Sequence, residues 1–181
     1  MSQPATPNMT ITPGMIREAM AAHGSFTFRA FGGSMMPVVR HGAMIRIEPL
    51  GPAEARAGDI LFFATTDGRY IGHRFLGWQE GGRERLMLTS GDTLPHIDPP
   101  HAAETLLGRI AATARGGREI RLKRGAGSLM MGLANRLSCR LASPLLAVAA
   151  LFPAGAHRRG RQVIRYLICG PVFVLGCLAR N

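Results

Sequence analysis

Residue types that can combine into a nucleophilic site are spread over the middle of this chain. Ser34 lies in the segment Gly-Gly-Ser-Met-Met-Pro, His73 lies in an apolar run, and Asp92 and Asp98 share a turn-rich segment. A serine hydroxyl is a weak nucleophile unless a base accepts its proton and a third group orients that base. The residue types therefore suit a serine nucleophile, a histidine base and an orienting aspartate, with either aspartate in the last role.

Each of these residues also has an ordinary structural interpretation. Serine after two glycines is common in loops, a single histidine in a sheet is often half-buried, and Gly-Asp pairs are ordinary turns. Three further histidines, His41, His96 and His101, are predicted to be surface residues, because their spacing suits no common metal site. No metal and no cofactor are predicted.

The segment that must position these residues has the pattern of a β domain. Between residues 25 and 122, short apolar runs alternate with turn residues, and the Asp-Gly pair at 67–68 is typical of a hairpin. We therefore predict a mainly β catalytic domain with a single sheet system. Its seven predicted strands cover residues 25–31, 43–50, 59–65, 70–78, 84–90, 106–113 and 118–122.

An N-terminal segment, residues 1–24, precedes this domain and is predicted to contain one short helix. Thr12 can cap the helix, Pro13 suits its first turn, and Gly24 suits its end. The first twelve residues lack a basic stretch followed by an apolar core, so neither a signal peptide nor an N-terminal membrane anchor is predicted.

The tail, residues 123–181, is apolar and basic. Residues 1–119 contain 12 arginines and 11 acidic residues, a net charge of +1, whereas residues 120–181 contain ten basic residues and no acidic one. Its uncharged stretches, 141–157 and 166–179, contain proline and are shorter than the about 20 residues of a spanning helix. This pattern favours helices at an anionic membrane surface or a re-entrant hairpin, and the alternative is that the helices cover the apolar face of the β domain.

The composition of the tail does not indicate a nucleic-acid partner, a zinc site or a disulfide framework. It lacks the interleaved aromatic residues of a nucleic-acid-binding arm and is too apolar for one, so no nucleic-acid partner is predicted. Its three cysteines, Cys139, Cys169 and Cys177, form no Cys-X-X-Cys pair and leave an odd count. Neither a zinc site nor a disulfide framework is therefore expected.

Five segments of the β domain occur in an order that resembles the type I signal peptidase family. They are GGSMMP (32–37), AGDILFF (57–63), GHRF (72–75), LTSGDTLPHID (88–98) and LLGRI (106–110). The resemblance covers about residues 30–112 and extends to the larger group of serine peptidases that includes the self-cleaving LexA-type repressors. It implies a coiled, mostly antiparallel β structure with a shallow substrate groove.

The resemblance also implies roles around the serine. Ser34 matches the nucleophile, Gly33 belongs to the same segment, and Met35 matches a residue that packs near the membrane-facing side of the site. The family often has a serine two residues before the nucleophile, and its hydroxyl helps to hold the oxyanion. Here that position is Gly32, so backbone N–H groups near Ser34 are expected to do more of this work.

The base differs from that of the bacterial signal peptidases and of the LexA group, which use a lysine. The only lysine in the chain, Lys123, lies beyond the last segment, and His73 stands in the base position, followed by Arg74. This resembles the archaeal and endoplasmic-reticulum branch, which implies that Asp98 orients the histidine and that Asp92 supports the turn. Arg74 is either part of the charge balance of the site or a solvated strand residue. An imidazole titrates near pH 6.5, so activity is expected at neutral pH.

The resemblance thus implies a membrane-associated, signal-peptidase-like serine endopeptidase that acts on a peptide or preprotein. The apolar basic tail after the domain is unusual for the family and favours a specialised role, such as trimming a leader from one secreted or modified peptide. Two alternatives are a LexA-type self-cleaving regulator, which the missing base lysine disfavours, and an inactive peptide-binding module, which Gly32 favours.

Overall fold

The computed structural model describes residues 11–82, 84–94, 96–124 and 130. Two single-turn 3-10 helices cover Pro52–Glu54 and Ala103–Thr105. The longer elements are α1 (Pro13–His23), β1 (Phe26–Arg29), β2 (Met44–Glu48), β3 (Ile60–Ala64), β4 (Tyr70–Gly81), β5 (Glu84–Ser90), β6 (His101–Ala102), β7 (Leu106–Arg115) and β8 (Arg118–Arg121).

The predicted N-terminal helix is confirmed as α1, together with both of its caps. The Thr12 hydroxyl accepts a hydrogen bond from the Met15 backbone N–H at 3.3 Å, and Pro13 begins the helix. Gly24 ends it with φ +72°, a left-handed conformation that costs glycine little, and its N–H donates to the Met20 carbonyl. The apolar face of α1 buries Ile16 and Met20 in the main core.

The prediction of a mainly β domain with one sheet is also confirmed. Within the described residues, eight strands form a curled, half-barrel sheet in which every pair is antiparallel, in the order β1-β2-β7-β3-β4-β5-β6, and β8 also pairs with β7. The seven predicted strands are all present, and β4 and β7 run further than their apolar patterns indicated. The sequence analysis missed β6, because a two-residue strand is too short to show an alternating pattern.

The position of β3 between two core clusters explains why its sequence is apolar throughout. Ile60 and Phe62 pack into the cluster that also receives α1, whereas Leu61 and Phe63 pack into a second cluster with Phe75. Since alternate side chains of a strand point to opposite faces, a strand covered on both faces has no position for a polar residue. The two core clusters therefore lie on the two faces of the sheet at β3.

Three irregularities in pairing accompany the curl of the sheet. The register shifts between Arg46 and Ile47, between Phe62 and Phe63, and between Phe75 and Gly77. Bulges of this kind bend a strand and increase its local twist. The curled sheet places the β1–β2 loop and the loop that follows β5 in contact with each other beside β4.

The predicted tail, residues 123–181, lies outside the described residues except for Lys123, Arg124 and Met130. Arg124 still belongs to the β domain, because its guanidinium binds both carboxylate oxygens of Asp59 at 2.9 and 2.7 Å. Among the described residues, none of the helices has the length and apolar character needed to cross a membrane.

The close approach of β7 to β2 gives a first prediction. A Cβ added at Gly108 would lie 2.4 Å from the backbone carbonyl oxygen of Glu48, which cannot move aside as the end of a side chain can. We expect Gly108→Ala to lower the free energy of unfolding by about 1–3 kcal/mol, as measured by urea denaturation. The control is Gly14→Ala in α1, where the added atom meets only the Thr12 hydroxyl oxygen at 3.8 Å. Equal unfolding free energies for the two variants would contradict the packing described here.

Candidate active site

Ser34 lies in the loop between β1 and β2, and this loop is fixed at both ends and in its middle. At its base, the Ala30 N–H donates to the Ala43 carbonyl, and the Gly42 N–H donates to the Ala30 carbonyl, each at 2.8 Å. The Ser34 carbonyl accepts a hydrogen bond at 2.9 Å from the backbone N–H of Thr93, in the loop after β5. The serine is therefore held against a second loop from a distant part of the sequence.

His73 lies in β4, and its ring faces the serine. The His73 Nε2 atom is 2.9 Å from the Ser34 Oγ atom, within the range expected for a nucleophile and its base. The histidine is buried, with 8% of its surface exposed. Strand β4 fixes the backbone of this residue through its pairing with Leu61 of β3.

Asp98 completes a continuous chain of polar contacts. Its Oδ2 atom is 2.6 Å from the His73 Nδ1 atom, and its backbone N–H donates to the Thr89 carbonyl at 2.8 Å. A carboxylate can only accept a hydrogen bond, so Nδ1 of a neutral ring must carry the proton and Nε2 presents its lone pair to Ser34. The structure thus brings together Ser34, His73 and Asp98, the three residues assigned to the site from the resemblance.

Thr89 is a member of this arrangement that the sequence analysis missed. Its side chain is fully buried, and its hydroxyl donates at 2.7 Å to the same Asp98 oxygen that faces His73. Asp98 is thereby held by a side-chain and a backbone contact to one residue of β5. A threonine near the end of a strand is too common to indicate a site, because its branched side chain suits any strand.

Asp92 contacts Arg74, whereas Asp98 contacts His73. It forms a buried ion pair with Arg74, with two hydrogen bonds of 2.6 and 2.7 Å between the carboxylate and the guanidinium. Arg74 also donates to the Gly58 carbonyl at 2.6 Å, and only 3% of its surface is exposed. Of the two readings of Arg74, the structure thus excludes the solvated strand residue. The pair ties β4 to the loop after β5, one residue away from Thr93.

The other residues of the serine segment have mainly packing roles. The Gly33 carbonyl accepts a hydrogen bond from the Thr93 hydroxyl at 3.1 Å. Met35, which the resemblance places near a membrane-facing side, is buried in the main core with 4% of its surface exposed.

The sequence analysis also missed Gly91, in the loop after β5. A Cβ atom at this position would lie only 2.8 Å from that of Ser34. The two loops approach so closely that this position has no room for a side chain.

Gly32 is the position at which the family often has a serine. It adopts φ +91°, which favours glycine over any residue with a side chain. Its backbone N–H donates at 3.2 Å to the Nδ1 atom of His41, and that ring lies edge-on to Phe31. The Gly32 N–H is therefore occupied by His41.

The prediction that His101 is a surface residue is wrong, whereas His41 and His96 are exposed as predicted. His101 belongs to β6, is half-buried, and has its ring centroid 4.7 Å from that of Phe63. Burial lowers the pKa of His101 below 6.5, an effect that Asp98 partly offsets and His73 reinforces. The error arose because the two-residue strand that carries this histidine was not recognised.

No family model, curated protein or solved structure matches the chain. The geometry of the site and the five sequence segments therefore carry any functional assignment.

A second prediction compares the loss of stability when the buried ion pair of Asp92 is broken with the loss when an exposed ion pair is broken. Asp92→Asn leaves the Arg74 charge buried without its counter-ion, so we expect the free energy of unfolding to fall by about 3–5 kcal/mol. The matched control is Asp67→Asn, which breaks the exposed pair with Arg69 and is expected to change stability little. Urea denaturation of both variants measures the difference, and similar stabilities would contradict the structural role of Asp92.

A third prediction concerns acid stability. Because the pKa of His101 is lowered in the folded protein, the unfolded chain takes up a proton first as the pH falls below 6.5. This histidine therefore contributes a loss of stability on acidification that is absent above that pH. We expect His101→Gln to lose less unfolding free energy between about pH 7.5 and 5.5 than the parent chain does. The control is His96→Gln, and an unchanged pH dependence in His101→Gln would refute the assignment.

Proposed function

We propose that this chain is a serine endopeptidase of the signal peptidase type, which removes a leader or signal segment from a secreted or modified peptide. The observation that carries the proposal is the unbroken contact from the Ser34 Oγ atom to His73 Nε2 at 2.9 Å and from His73 Nδ1 to Asp98 Oδ2 at 2.6 Å. The five sequence segments that resemble the family support it independently.

In the proposed reaction, His73 Nε2 accepts the proton of Ser34 Oγ as this oxygen attacks the carbonyl carbon of the scissile bond. The tetrahedral intermediate collapses, and His73 gives its proton to the departing amine. Water then attacks the acyl group on Ser34, with His73 again as base, and frees the serine. Asp98 holds the imidazole in the required tautomer and stabilises its positive charge, and Thr89 positions Asp98.

The oxyanion of the intermediate needs hydrogen-bond donors close to Ser34. Gly32 offers no hydroxyl, and its backbone N–H already donates to His41. Other backbone N–H groups close to Ser34 would then have to hold the oxyanion. Since the loss of one oxyanion donor can lower the rate on the order of 10²–10³-fold, we expect slow turnover, which suits an enzyme with few substrates.

The sequence of the tail supports a location at the membrane. Residues 120–181 combine apolar stretches with ten basic and no acidic residues, which suits binding to an anionic membrane surface. A substrate that is itself a secreted preprotein would meet the enzyme there. We propose a membrane-associated enzyme that uses no cofactor and has no nucleic-acid partner.

A second candidate function is a peptide-binding module without catalytic activity. The specific observation in its favour is Gly32, which removes the oxyanion hydroxyl that the family often has. The two candidates differ in one measurable respect. Only the peptidase needs the hydroxyl of Ser34.

The fourth prediction is the outcome of N-terminal peptide profiling by mass spectrometry in host cells. Cells with the intact gene are compared with cells that carry Ser34→Ala, and with cells that carry Ser25→Ala, a serine immediately before β1 and outside the site. We expect a set of mature N-termini to vanish in Ser34→Ala and to persist in Ser25→Ala. Matching profiles for all three, with the proteins expressed at equal levels, would favour the binding module.

A further inference from the structure

Asp59 is a buried carboxylate that the proposed reaction does not use. It lies immediately before β3, and only 4% of its surface is exposed. Its side chain accepts a hydrogen bond at 2.9 Å from the backbone N–H of Arg56. Arg124 supplies the counter-ion, since its Nε and Nη2 atoms donate to the two carboxylate oxygens at 2.9 and 2.7 Å. A carboxylate removed from water is costly without such a partner, so Arg124 is needed for Asp59 to remain buried.

The turn that contains Asp59 also contacts Arg74, the arginine of the buried ion pair. The Gly58 carbonyl accepts a hydrogen bond from the Arg74 guanidinium at 2.6 Å. The same turn is joined to β4 by two backbone hydrogen bonds of 2.8 Å, from the Gly58 N–H to the Phe75 carbonyl and from the Phe75 N–H to the Asp59 carbonyl. Displacing this turn would therefore disturb the residue that holds the loop after β5.

A polar path thus connects Arg124 to the loop that supports Ser34. It runs from the Arg124–Asp59 pair through the turn to the Arg74–Asp92 pair. The inner pair is almost fully buried, with side chains 4% and 0% exposed, whereas the Arg124 side chain is 30% exposed. Because water reaches Arg124, the outer pair costs less to open than the inner one. The outer end of the path lies where the sequence of the basic tail begins.

We propose that Arg124, the second residue of the predicted tail, is a positioning residue for the active site. It neutralises Asp59 and so keeps the turn before β3 in place against Arg74. The junction with the tail thereby contributes to the geometry at Ser34, although Arg124 contacts none of the reacting groups. This inference rests on the proposed function and deepens it. A chain without Arg124 would keep all three reacting residues but react more slowly.

The geometry at Asp59 requires an arginine rather than a positive charge alone. The planar guanidinium matches the two oxygens of a carboxylate, and the Arg124 Nη2 atom also donates to the Glu54 carbonyl at 3.1 Å. A lysine ammonium group keeps the charge but cannot reproduce this pair of parallel hydrogen bonds. Arg124→Lys is therefore expected to give a result between those of the parent chain and Arg124→Gln.

The first measurement is inactivation of the full chain by a fluorophosphonate, with the maximal rate and the half-saturating concentration determined separately. We expect Arg124→Gln to lower the maximal rate about tenfold and to leave the half-saturating concentration unchanged, because a misplacement of reacting groups slows the chemical step. A residue that only stabilises the fold would change the fraction of folded protein and not the rate constant of the folded molecules.

The matched control is Arg46→Gln. The Arg46 side chain is 24% exposed and forms ion pairs with Glu48 and Glu119. It lies on β2, which is separated from β4 by β7 and β3. We expect this variant to react at the parent rate, and an equal loss of rate in both variants would overturn the inference.

A double variant tests the role of the buried charge. Arg124→Gln alone leaves the Asp59 carboxylate buried without a counter-ion, whereas Arg124→Gln with Asp59→Asn leaves two neutral amides. We expect the double variant to regain most of the lost rate. A double variant no faster than Arg124→Gln would overturn the inference. If Arg124→Gln does not fold, Arg124→Lys and the double variant carry the same comparison.

Hydrogen exchange of the Thr93 and Asp98 backbone N–H groups, followed by NMR, gives a readout that does not depend on reactivity. We expect both groups to exchange faster in Arg124→Gln than in the parent chain, and at the parent rate in Arg46→Gln. An increase spread evenly over all strands would indicate a general loss of stability and would overturn the inference.

The two readouts separate this inference from the peptidase proposal. If Ser34 of the parent chain does not react, the peptidase proposal fails, and faster exchange confined to the loop after β5 would still support the link from Arg124. If Ser34 reacts but Arg124→Gln changes neither the rate nor the exchange, the inference is overturned and the peptidase proposal stands. An unreactive Ser34 together with unchanged exchange would overturn both.

Discussion

The candidate site depends on the buried ion pair between Arg74 and Asp92. Two charges removed from water are costly, and here the cost is offset by two short hydrogen bonds between them and a third from Arg74 to the Gly58 carbonyl. The pair fixes the loop after β5 to β4. That loop supports Ser34 through Thr93 and leads to Asp98, so the ion pair contributes to the positions of both residues relative to His73, together with the contacts at the base of the serine loop and those from Thr89.

The adjacency of His73 and Arg74 on β4 couples the proposed base to this ion pair. Neighbouring residues on a strand point to opposite faces, so β4 directs the imidazole toward the serine loop and the guanidinium toward the anchoring loop. The base and the anchor thereby share one rigid backbone, stabilised by pairing with β3 and β5. Moving the loop without moving the base would require breaking the buried ion pair. Geometry held by a strand in this way varies less than geometry held by loops alone.

Much of the fold could be predicted because its patterns are local. The apolar run of β3, the alternation in β2 and the capping residues of α1 each follow from the chemistry of a few neighbouring residues. The two residues of β6 carry no such pattern, and His101 was misplaced for that reason. The tail gave a clear composition, but its structure lies outside the described residues.

Residue types alone were not sufficient to assign every member of the site. Asp92 and Asp98 are equivalent by chemistry, and only a resemblance at the level of spacing favoured Asp98. The structure separates them, because Asp98 contacts His73 and Asp92 contacts Arg74. Thr89 and Gly91 could not have been selected, since their importance comes from contacts with Asp98 and Ser34 across distant parts of the chain.

The most direct test of the central claim is the rate at which a fluorophosphonate labels Ser34 at neutral pH, with the labelled residue identified by mass spectrometry. If Ser34, His73 and Asp98 act as a unit, the label forms on Ser34 alone, and His73→Gln lowers its rate on the order of 10³-fold or more. Asp98→Asn is expected to have an effect of similar kind, because it favours the wrong imidazole tautomer. Labelling spread over other serines, or a rate at Ser34 that His73→Gln leaves unchanged, would contradict the account.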